Sequence, residues 1–225
     1  MFNKNSSIIA VIDSGIGGLA VLKSLIAKHK VGNYIYFADN LNMPYGEKSK
    51  RFVKKRVESL IEMLTKTYKV DLIIIACNTA SSVIDTTKYK NVITMKFNQD
   101  YTYLATKLTK RNQKNLNVIA DKKLASKIEK HILDKTKIEK VVKSQVKTHK
   151  LNRFKDIVLG CTHYELVSNL FKKYCPNTNI ICNSSFVIDD IKTNFNNKEI
   201  NIKFLISKES KSYTDKMLEI LKINI

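Results

Sequence analysis

Two short segments, one in each half of the chain, run from an apolar stretch into a cysteine. Residues 72–81 read LIIIACNTAS and residues 157–164 read IVLGCTHY. In open α/β sheets the ligand crevice lies at the carboxyl ends of the strands, where helix N-termini also favour thiolates. The pair therefore predicts two similarly built halves that present Cys77 and Cys161 to one substrate.

The first third of the chain has the pattern of a βαβαβ unit. An apolar run at 8–12 leads through the turn DSGIGG into helical spacing at 19–29. A short strand at 34–37, an amphipathic helix with apolar residues from 53 to 64, and a strand at 71–76 follow. Alternating strands and helices favour a parallel sheet with right-handed crossovers.

The rest of the chain also reads as α/β. Strands are predicted at 116–120, 156–159, 179–182 and 202–206, and helices at 123–133, 164–174, 186–195 and 213–221. Residues 141–150 alternate only weakly and fit a strand or a loop. The length of 225 residues allows one large domain or two of about 110 residues, and the repeated cysteine segment favours two.

The net charge of +20 would ordinarily indicate a nucleic-acid partner. The basic residues, however, are 36 lysines and only 4 arginines, spread along the whole chain. Because arginine makes the bidentate phosphate and guanine contacts, we interpret the charge as a composition bias and do not expect nucleic-acid binding. Binding through the lysine-rich surface stays an alternative.

Cofactors and membranes are not expected. The four cysteines form no CxxC, which argues against disulfides and structural zinc, and DSGIGG lacks both the P-loop lysine and the GxGxxG pattern. No apolar run reaches the roughly 20 residues of a membrane span. Asp13 interrupts the N-terminal apolar run, which argues against a signal peptide, so we expect a cytoplasmic protein with reduced thiols.

Two opposed thiols suit one particular reaction. Moving the α-proton of an amino acid from one face to the other needs a base on one side and an acid on the other, without metal or pyridoxal phosphate. Asp13 and His163 are the available helpers, and Ser14, Asn78, Thr79 and Thr162 can hold the substrate. Simpler interpretations exist, since a cysteine can be a small core residue and Asp13 a helix cap.

The chain resembles the glutamate racemases of the cofactor-independent Asp/Glu racemase superfamily. Four segments occur in the family's order: VIDSGIGGLAVL at 11–22, YFADNLNMPYGEKS at 36–49, IIIACNTAS at 73–81 and VLGCTHYEL at 158–166. A weaker match covers 204–221.

The resemblance implies roles for these positions. Cys77 would act on the D-isomer with help from Asp13, and Cys161 on the L-isomer with help from His163. Residues that would contact the substrate are Ser14, Pro44, Tyr45, Gly46, Asn78, Thr79 and Thr162. The resemblance further implies an amino-acid substrate, no cofactor, production of D-glutamate for peptidoglycan, and a homodimer as a candidate assembly.

The implied fold is two similar α/β domains, with largely parallel sheets, that face each other across a central active site. The first domain would comprise residues 1–95 and 206–225 and carry Asp13 and Cys77. The second would comprise 96–205 and carry Cys161 and His163.

Two of the departures from the family pattern bear directly on the site. The family has a threonine-rich turn after the strand equivalent to 116–120, where this chain has Asp121 to Leu124. The acidic residue before the second cysteine strand aligns with Gln145, which cannot titrate. These departures leave two alternatives open: a racemase for aspartate or another amino acid, and a degenerate homologue that binds without turnover.

Overall fold

A computed structural model describes residues 7–189, 191 and 199–222. In these residues the strands are β1 Ile8–Asp13, β2 Gly32–Ala38, β3 Leu72–Ile75, β4 Val92–Thr94, β5 Thr102–Thr106, β6 Asn117–Asp121, β7 Asp156–Gly160, β8 Asn179–Cys182 and β9 Ile200–Ile206. The α-helices are α1 Leu19–His29, α2 Lys50–Tyr68, α3 Asn78–Ser81, α4 Lys107–Asn112, α5 Leu124–His131, α6 Lys135–Thr148, α7 Thr162–Glu165, α8 Ser168–Tyr174, α9 Ser185–Ile188 and α10 Lys211–Lys222.

The strands form two sheets. The first has the order β4-β3-β1-β2-β9 and the second β6-β5-β7-β8, and every strand pairing in the described residues is parallel. This confirms the predicted α/β class. Because parallel strands end at the same edge, the residues that follow β1 and β3 lie together, as do those that follow β5, β7 and β8.

Helices cover both faces of the first sheet. The apolar side of α2 packs on one face through residues such as Val53, Val57 and Leu60. On the other face α1 packs together with Met217 and Ile220 of α10. The C-terminal strand and helix therefore belong with the first sheet, as the resemblance implied.

One prediction about the second sheet and its helices needs correction, and two elements there were not predicted. Residues 141–150 lie mostly in α6, whose buried residues Ile138, Val142 and Val146 recur every four positions, as one face of a helix requires. The sequence analysis also missed β5 and α4. The predicted helix at 186–195 lies partly outside the described residues, and its described part contains α9.

The return to the first sheet also differs from the expectation. β9 pairs with β2 from Ile200 onward, so the return begins before the expected boundary at 206. The division into two domains stays a prediction.

Candidate active site

The carboxyl edge of the first sheet brings Asp13, Ser14 and Cys77 together. β1 and β3 are neighbours, and these three residues lie at or just beyond their ends. The Cys77 Sγ lies 3.9 Å from the Ser14 Oγ. All three side chains are buried, so the first predicted thiol and its predicted helper share one water-poor environment.

The carboxyl edge of the second sheet supplies Cys161, Thr162 and His163. Cys161 directly follows β7, and Thr162 and His163 open the short helix α7. The Thr162 Oγ1 donates a hydrogen bond of 2.8 Å to the Asp13 Oδ2, which also brings the two sheets' site residues into contact. The structure thus joins the Cys161 turn to Asp13, whose neighbour Ser14 lies beside Cys77.

A glycine permits this close approach. A Cβ on Gly17 would lie 2.5 Å from both the His163 Nδ1 and the Thr162 Oγ1, and 2.7 Å from the backbone nitrogen of His163. Such distances are far inside van der Waals contact. The DSGIGG turn therefore packs directly against the turn that carries Thr162 and His163.

His163 has a partner that the sequence analysis missed. Its Nε2 lies 2.6 Å from the Glu129 Oε2, an oxygen that also accepts a hydrogen bond of 3.2 Å from the Ile16 backbone. Lys216 of α10 approaches the other carboxylate oxygen at 4.0 Å. His163 and Glu129 are both buried, so they form a water-excluded acid/base pair.

The expectation that Gln145 stands in the acidic position was wrong. Gln145 lies on α6, which packs against α5 and α8, whereas Glu129 lies on α5, which packs against α7. α5 thus places the Glu129 carboxylate against the His163 ring. The acidic group is present, sixteen residues earlier in the chain (145 − 129 = 16).

The protonation states of the two halves differ. Burial raises the pKa of the Cys77 thiol far above its usual range, and the charge of Asp13 raises it further. Burial likewise raises the pKa of Asp13, although the His163 charge and two hydrogen bonds oppose it. Burial would lower the pKa of His163, but hydrogen bonds to Cys161 and Glu129 outweigh it and raise that pKa well above 6.5.

Glu129 responds in the opposite direction. Burial would raise its pKa, but the hydrogen bond and charge of His163 outweigh burial and hold the pKa below its usual value. The pair is therefore an imidazolium and a carboxylate at neutral pH. On the other side of the site, the raised pKa of Cys77 keeps its proton on sulfur at neutral pH.

Three threonines form a second cluster beside the cysteines. The Thr79 Oγ1 lies 2.9 Å from the Thr106 Oγ1 and 3.4 Å from the Thr109 Oγ1, and the last two lie 3.0 Å apart. A Cβ on Gly46 would lie 2.8 Å from Thr106, so the predicted substrate-contact turn at Pro44 to Gly46 packs directly on this cluster. These hydroxyls can bind a carboxylate.

The expected threonine-rich turn was therefore sought in the wrong place. It follows β5, which pairs directly with the Cys161 strand, whereas Asp121 to Leu124 follow the outer strand β6. Asp121 there accepts hydrogen bonds from the backbone nitrogens of Lys123 at 2.8 Å and Leu124 at 2.6 Å, and lies 2.8 Å from His149. These contacts organise the start of α5 rather than a substrate site.

The turn at Pro44 to Gly46 is fixed from behind. The Tyr45 hydroxyl donates to Asp39 at 2.6 Å, and Arg56 donates two hydrogen bonds to the same carboxylate at 2.9 and 2.8 Å. The tyrosine hydroxyl is thereby occupied. The parts of this turn left to meet a ligand are its backbone and ring.

Asn78, the residue after Cys77, has an unexpected partner. It accepts a hydrogen bond from the side chain of Asn183, which follows β8, and both side chains are buried. The sequence carried no signal for Asn183 beyond its position after a predicted strand.

A groove of about 440 Å³ opens next to Gly46. Lys107 in this groove is exposed. The adjacent Lys122 lowers the pKa of the Lys107 ammonium. We call this surface the basic groove; its lining residues are Gly46, Glu47, Lys48, Lys107, Leu108, Arg111, Lys122 and Lys123.

In the described part of the chain, no helix is long and apolar enough to cross a membrane. No group of three or more His, Cys, Asp or Glu side chains among the described residues is arranged to hold a metal ion. Cys175 is a buried free thiol that lies in the same apolar cluster as Cys161, and Cys182 is a partly buried free thiol.

Comparison with known proteins identifies the family. A glutamate racemase of Aliarcobacter butzleri is 35% identical over 195 aligned residues, covering 73% of this chain and 74% of the relative. The chain belongs to the glutamate racemase family. A second member, from Clostridium botulinum, is 33% identical and covers 76% of each chain. No protein-family model matches the chain.

Solved structures agree on the fold of this racemase family. A glutamate racemase isoform of Bacillus anthracis superposes with a TM-score of 0.78 at 22% identity, covering 99% of this chain and 96% of that one. The Francisella tularensis glutamate racemase in complex with D-glutamate gives a TM-score of 0.73 at 22% identity, over 97% and 94%.

Proposed function

We propose that this protein interconverts L- and D-glutamate by a cofactor-independent mechanism with Cys77 and Cys161 as the two acid/base groups. Glutamate is the substrate named for the relatives at 35% and 33% identity. The single observation that carries the mechanism is the Thr162–Asp13 hydrogen bond, which joins the Cys161 turn to the proposed helper of Cys77.

In the L to D direction the Cys161 thiolate takes the α-proton. The electron pair of the broken C–H bond is left on the α-carbon, delocalised into the carboxylate. The Cys77 thiol then delivers its proton to the opposite face, leaving Cys77 as thiolate and Cys161 as thiol. The raised pKa of Cys77 fits this role, because it keeps the proton on sulfur until the carbanion forms.

The reverse direction needs the opposite protonation states. Asp13, whose pKa burial raises, can take the Cys77 proton, while His163 can supply one to Cys161. Each turnover exchanges the protonation states of the two cysteines. Asp13 and His163 can therefore also restore the starting protonation states of Cys77 and Cys161. Neither step needs a metal ion or a pyridoxal group.

Substrate binding would fall to the groups around the two sulfurs. The proposed set is the one named from the sequence, Ser14, Pro44, Tyr45, Gly46, Asn78, Thr79 and Thr162, joined by Thr106 and Thr109. The threonine cluster is suited to a carboxylate, because three hydroxyls converge there.

The alternative of a degenerate homologue loses its motivation. It rested on Gln145 and on the missing threonines, and Glu129, Thr106 and Thr109 occupy those places. A preference for aspartate remains the second candidate. We further propose that the D-glutamate serves peptidoglycan synthesis; cytoplasmic location and a homodimer stay predictions.

The test is racemisation by purified reduced protein, followed by circular dichroism of the amino acid. We expect kcat/KM for glutamate to exceed that for aspartate at least tenfold. Cys77→Ser and Cys161→Ser each lower kcat by at least about 100-fold, the scale of acid/base catalysis. Cys175→Ala, a buried thiol outside the site, is the matched control. Full activity of either serine variant would overturn the mechanism.

A further inference from the structure

Asn183 occupies a place at the site that no sequence motif marks. It follows β8, whose Cys182 pairs with Leu159 of β7, so Asn183 lies level with the residue before Cys161. It is fully buried, and its Nδ2 donates to the Oδ1 of Asn78, the residue after Cys77. Asn183 therefore stands between the two cysteine turns.

The backbone of Asn183 is fixed to the second turn by Glu165. This buried carboxylate on α7 accepts hydrogen bonds from the Ser184 nitrogen at 3.1 Å and the Ser184 hydroxyl at 2.5 Å, and from the Asn183 nitrogen. A second bridge thus runs from α7 through Asn183 to Asn78. With the Thr162–Asp13 hydrogen bond, two bridges therefore run from α7 to the carboxyl edge of the first sheet.

The asparagine pair leaves two groups unsatisfied. The Asn78 Nδ2 and the Asn183 Oδ1 are buried and have no hydrogen-bond partner among the described residues. Turning both amides over exchanges donor and acceptor but still leaves one N–H₂ and one carbonyl free. Buried amides without partners are rare, so this pair is built for a ligand with one acceptor and one donor.

The head group of an α-amino acid is such a ligand, because its carboxylate accepts and its ammonium donates. Racemisation by two opposed groups moves only the hydrogen, while carboxylate and ammonium keep their places. One fixed donor and one fixed acceptor can therefore hold both enantiomers throughout the reaction.

Resting on the proposed function, we propose that Asn183 is a substrate-binding residue that acts with Asn78 to hold the α-carboxylate and α-ammonium. The alternative is that Asn183 only positions Asn78 and does not contact the substrate. Loss of a positioning residue would change kcat through the geometry of the site, whereas loss of a group bound equally to substrate and transition state changes KM.

The test compares Asn183→Leu, similar in shape but without hydrogen bonds, with Asn179→Leu at the exposed start of the same strand. We expect Asn183→Leu to raise KM at least tenfold for both enantiomers and to change kcat less than threefold. Asn179→Leu keeps both values. An unchanged KM, or a fall in kcat alone, would overturn the inference.

Calorimetric titration with D- and L-glutamate separates this inference from the proposed function, because binding needs no turnover. Wild-type binding without racemisation, weakened tenfold in Asn183→Leu, would sink the proposed function and support Asn183. Racemisation with equal binding in both proteins would sink Asn183 alone. If Asn183→Leu fails to fold, as near-UV circular dichroism reports, Asn183→Ala takes its place with the same expected loss.

Discussion

Replacing Glu129 by glutamine removes the charge of His163's partner while keeping its shape. In the structure a single oxygen of Glu129 accepts from both the His163 Nε2, at 2.6 Å, and the Ile16 nitrogen, at 3.2 Å. The carbonyl of a glutamine can accept both bonds. Its amide nitrogen then replaces the oxygen that lies 4.0 Å from the Lys216 ammonium. Glu129→Gln therefore removes the negative charge and leaves the shape of the side chain and its two accepted hydrogen bonds nearly unchanged.

The magnitude follows from the two kinds of hydrogen bond. A bond to a charged group contributes about 1.5–3 kcal/mol and a neutral one about 0.5–1.5 kcal/mol, so Glu129→Gln should cost about 1–1.5 kcal/mol of unfolding free energy. For a chain of this size that corresponds to a fall in Tm of roughly 2–6 °C. Racemisation in both directions falls about 100-fold, by equal factors in kcat/KM because the enantiomers are equally stable.

The cost depends on pH with a definite sign. The folded-state pKa of His163 lies above 6.5, so its stabilisation is complete below that pH and is lost as pH rises through the folded-state value. Glu129 has a lowered pKa, so its share is present above pH 4.5 and is lost in acid. The difference between wild type and Glu129→Gln is therefore largest near pH 6 and shrinks in alkali.

The assay is urea unfolding of both proteins, with reductant, at about pH 6 and about pH 9. Proton NMR of the histidine ring signals gives the His163 pKa directly, which should fall in the variant. A stability difference that is the same at both pH values, or an unchanged His163 titration, would refute the assignment of a charged pair.

Three further predictions follow. Gly17→Ala should lower activity at least 100-fold, with a stability loss of about 1–3 kcal/mol on urea unfolding, because its Cβ would overlap the backbone of His163; wild-type activity would show that the turns do not touch. Thr162→Val, which keeps the shape but removes the donor to Asp13, should cost about 1–3 kcal/mol and at least tenfold in kcat; a variant as stable and active as wild type would contradict the bridge. Raising ionic strength should lower kcat/KM for glutamate several-fold, because the basic groove attracts anions, and Lys122→Gln should flatten that dependence; a salt-independent rate would argue against steering.

The sequence was sufficient for the parts of the site that follow strong local patterns. Asp13, Cys77 and Cys161 each lie at or just after the end of a short, continuous apolar strand. Their positions at the carboxyl edges of the two parallel sheets therefore followed from topology alone. The proposed chemistry of two opposed thiols rests on those positions.

Residues selected by strand order were not predictable in the same way. From the sequence, the threonine-rich turn could follow either β5 or β6. The pairing of β5 with β7 identifies β5 as the strand whose following turn lies beside Cys161. Glu129 likewise depends on which of two consecutive helices packs against α7. Both choices are set by contacts between distant parts of the chain, which local spacing does not encode.

The central claim is that two cysteines exchange the α-proton of glutamate between opposite faces. Proton NMR of L- and D-glutamate with the protein in D₂O measures this directly, with a Cys77→Ser/Cys161→Ser double variant beside the wild type. We predict that the wild type removes the α-proton signal from both enantiomers and forms the opposite enantiomer, while the double variant does neither. Exchange that persists in the double variant, or its absence in folded wild-type protein, would contradict the account.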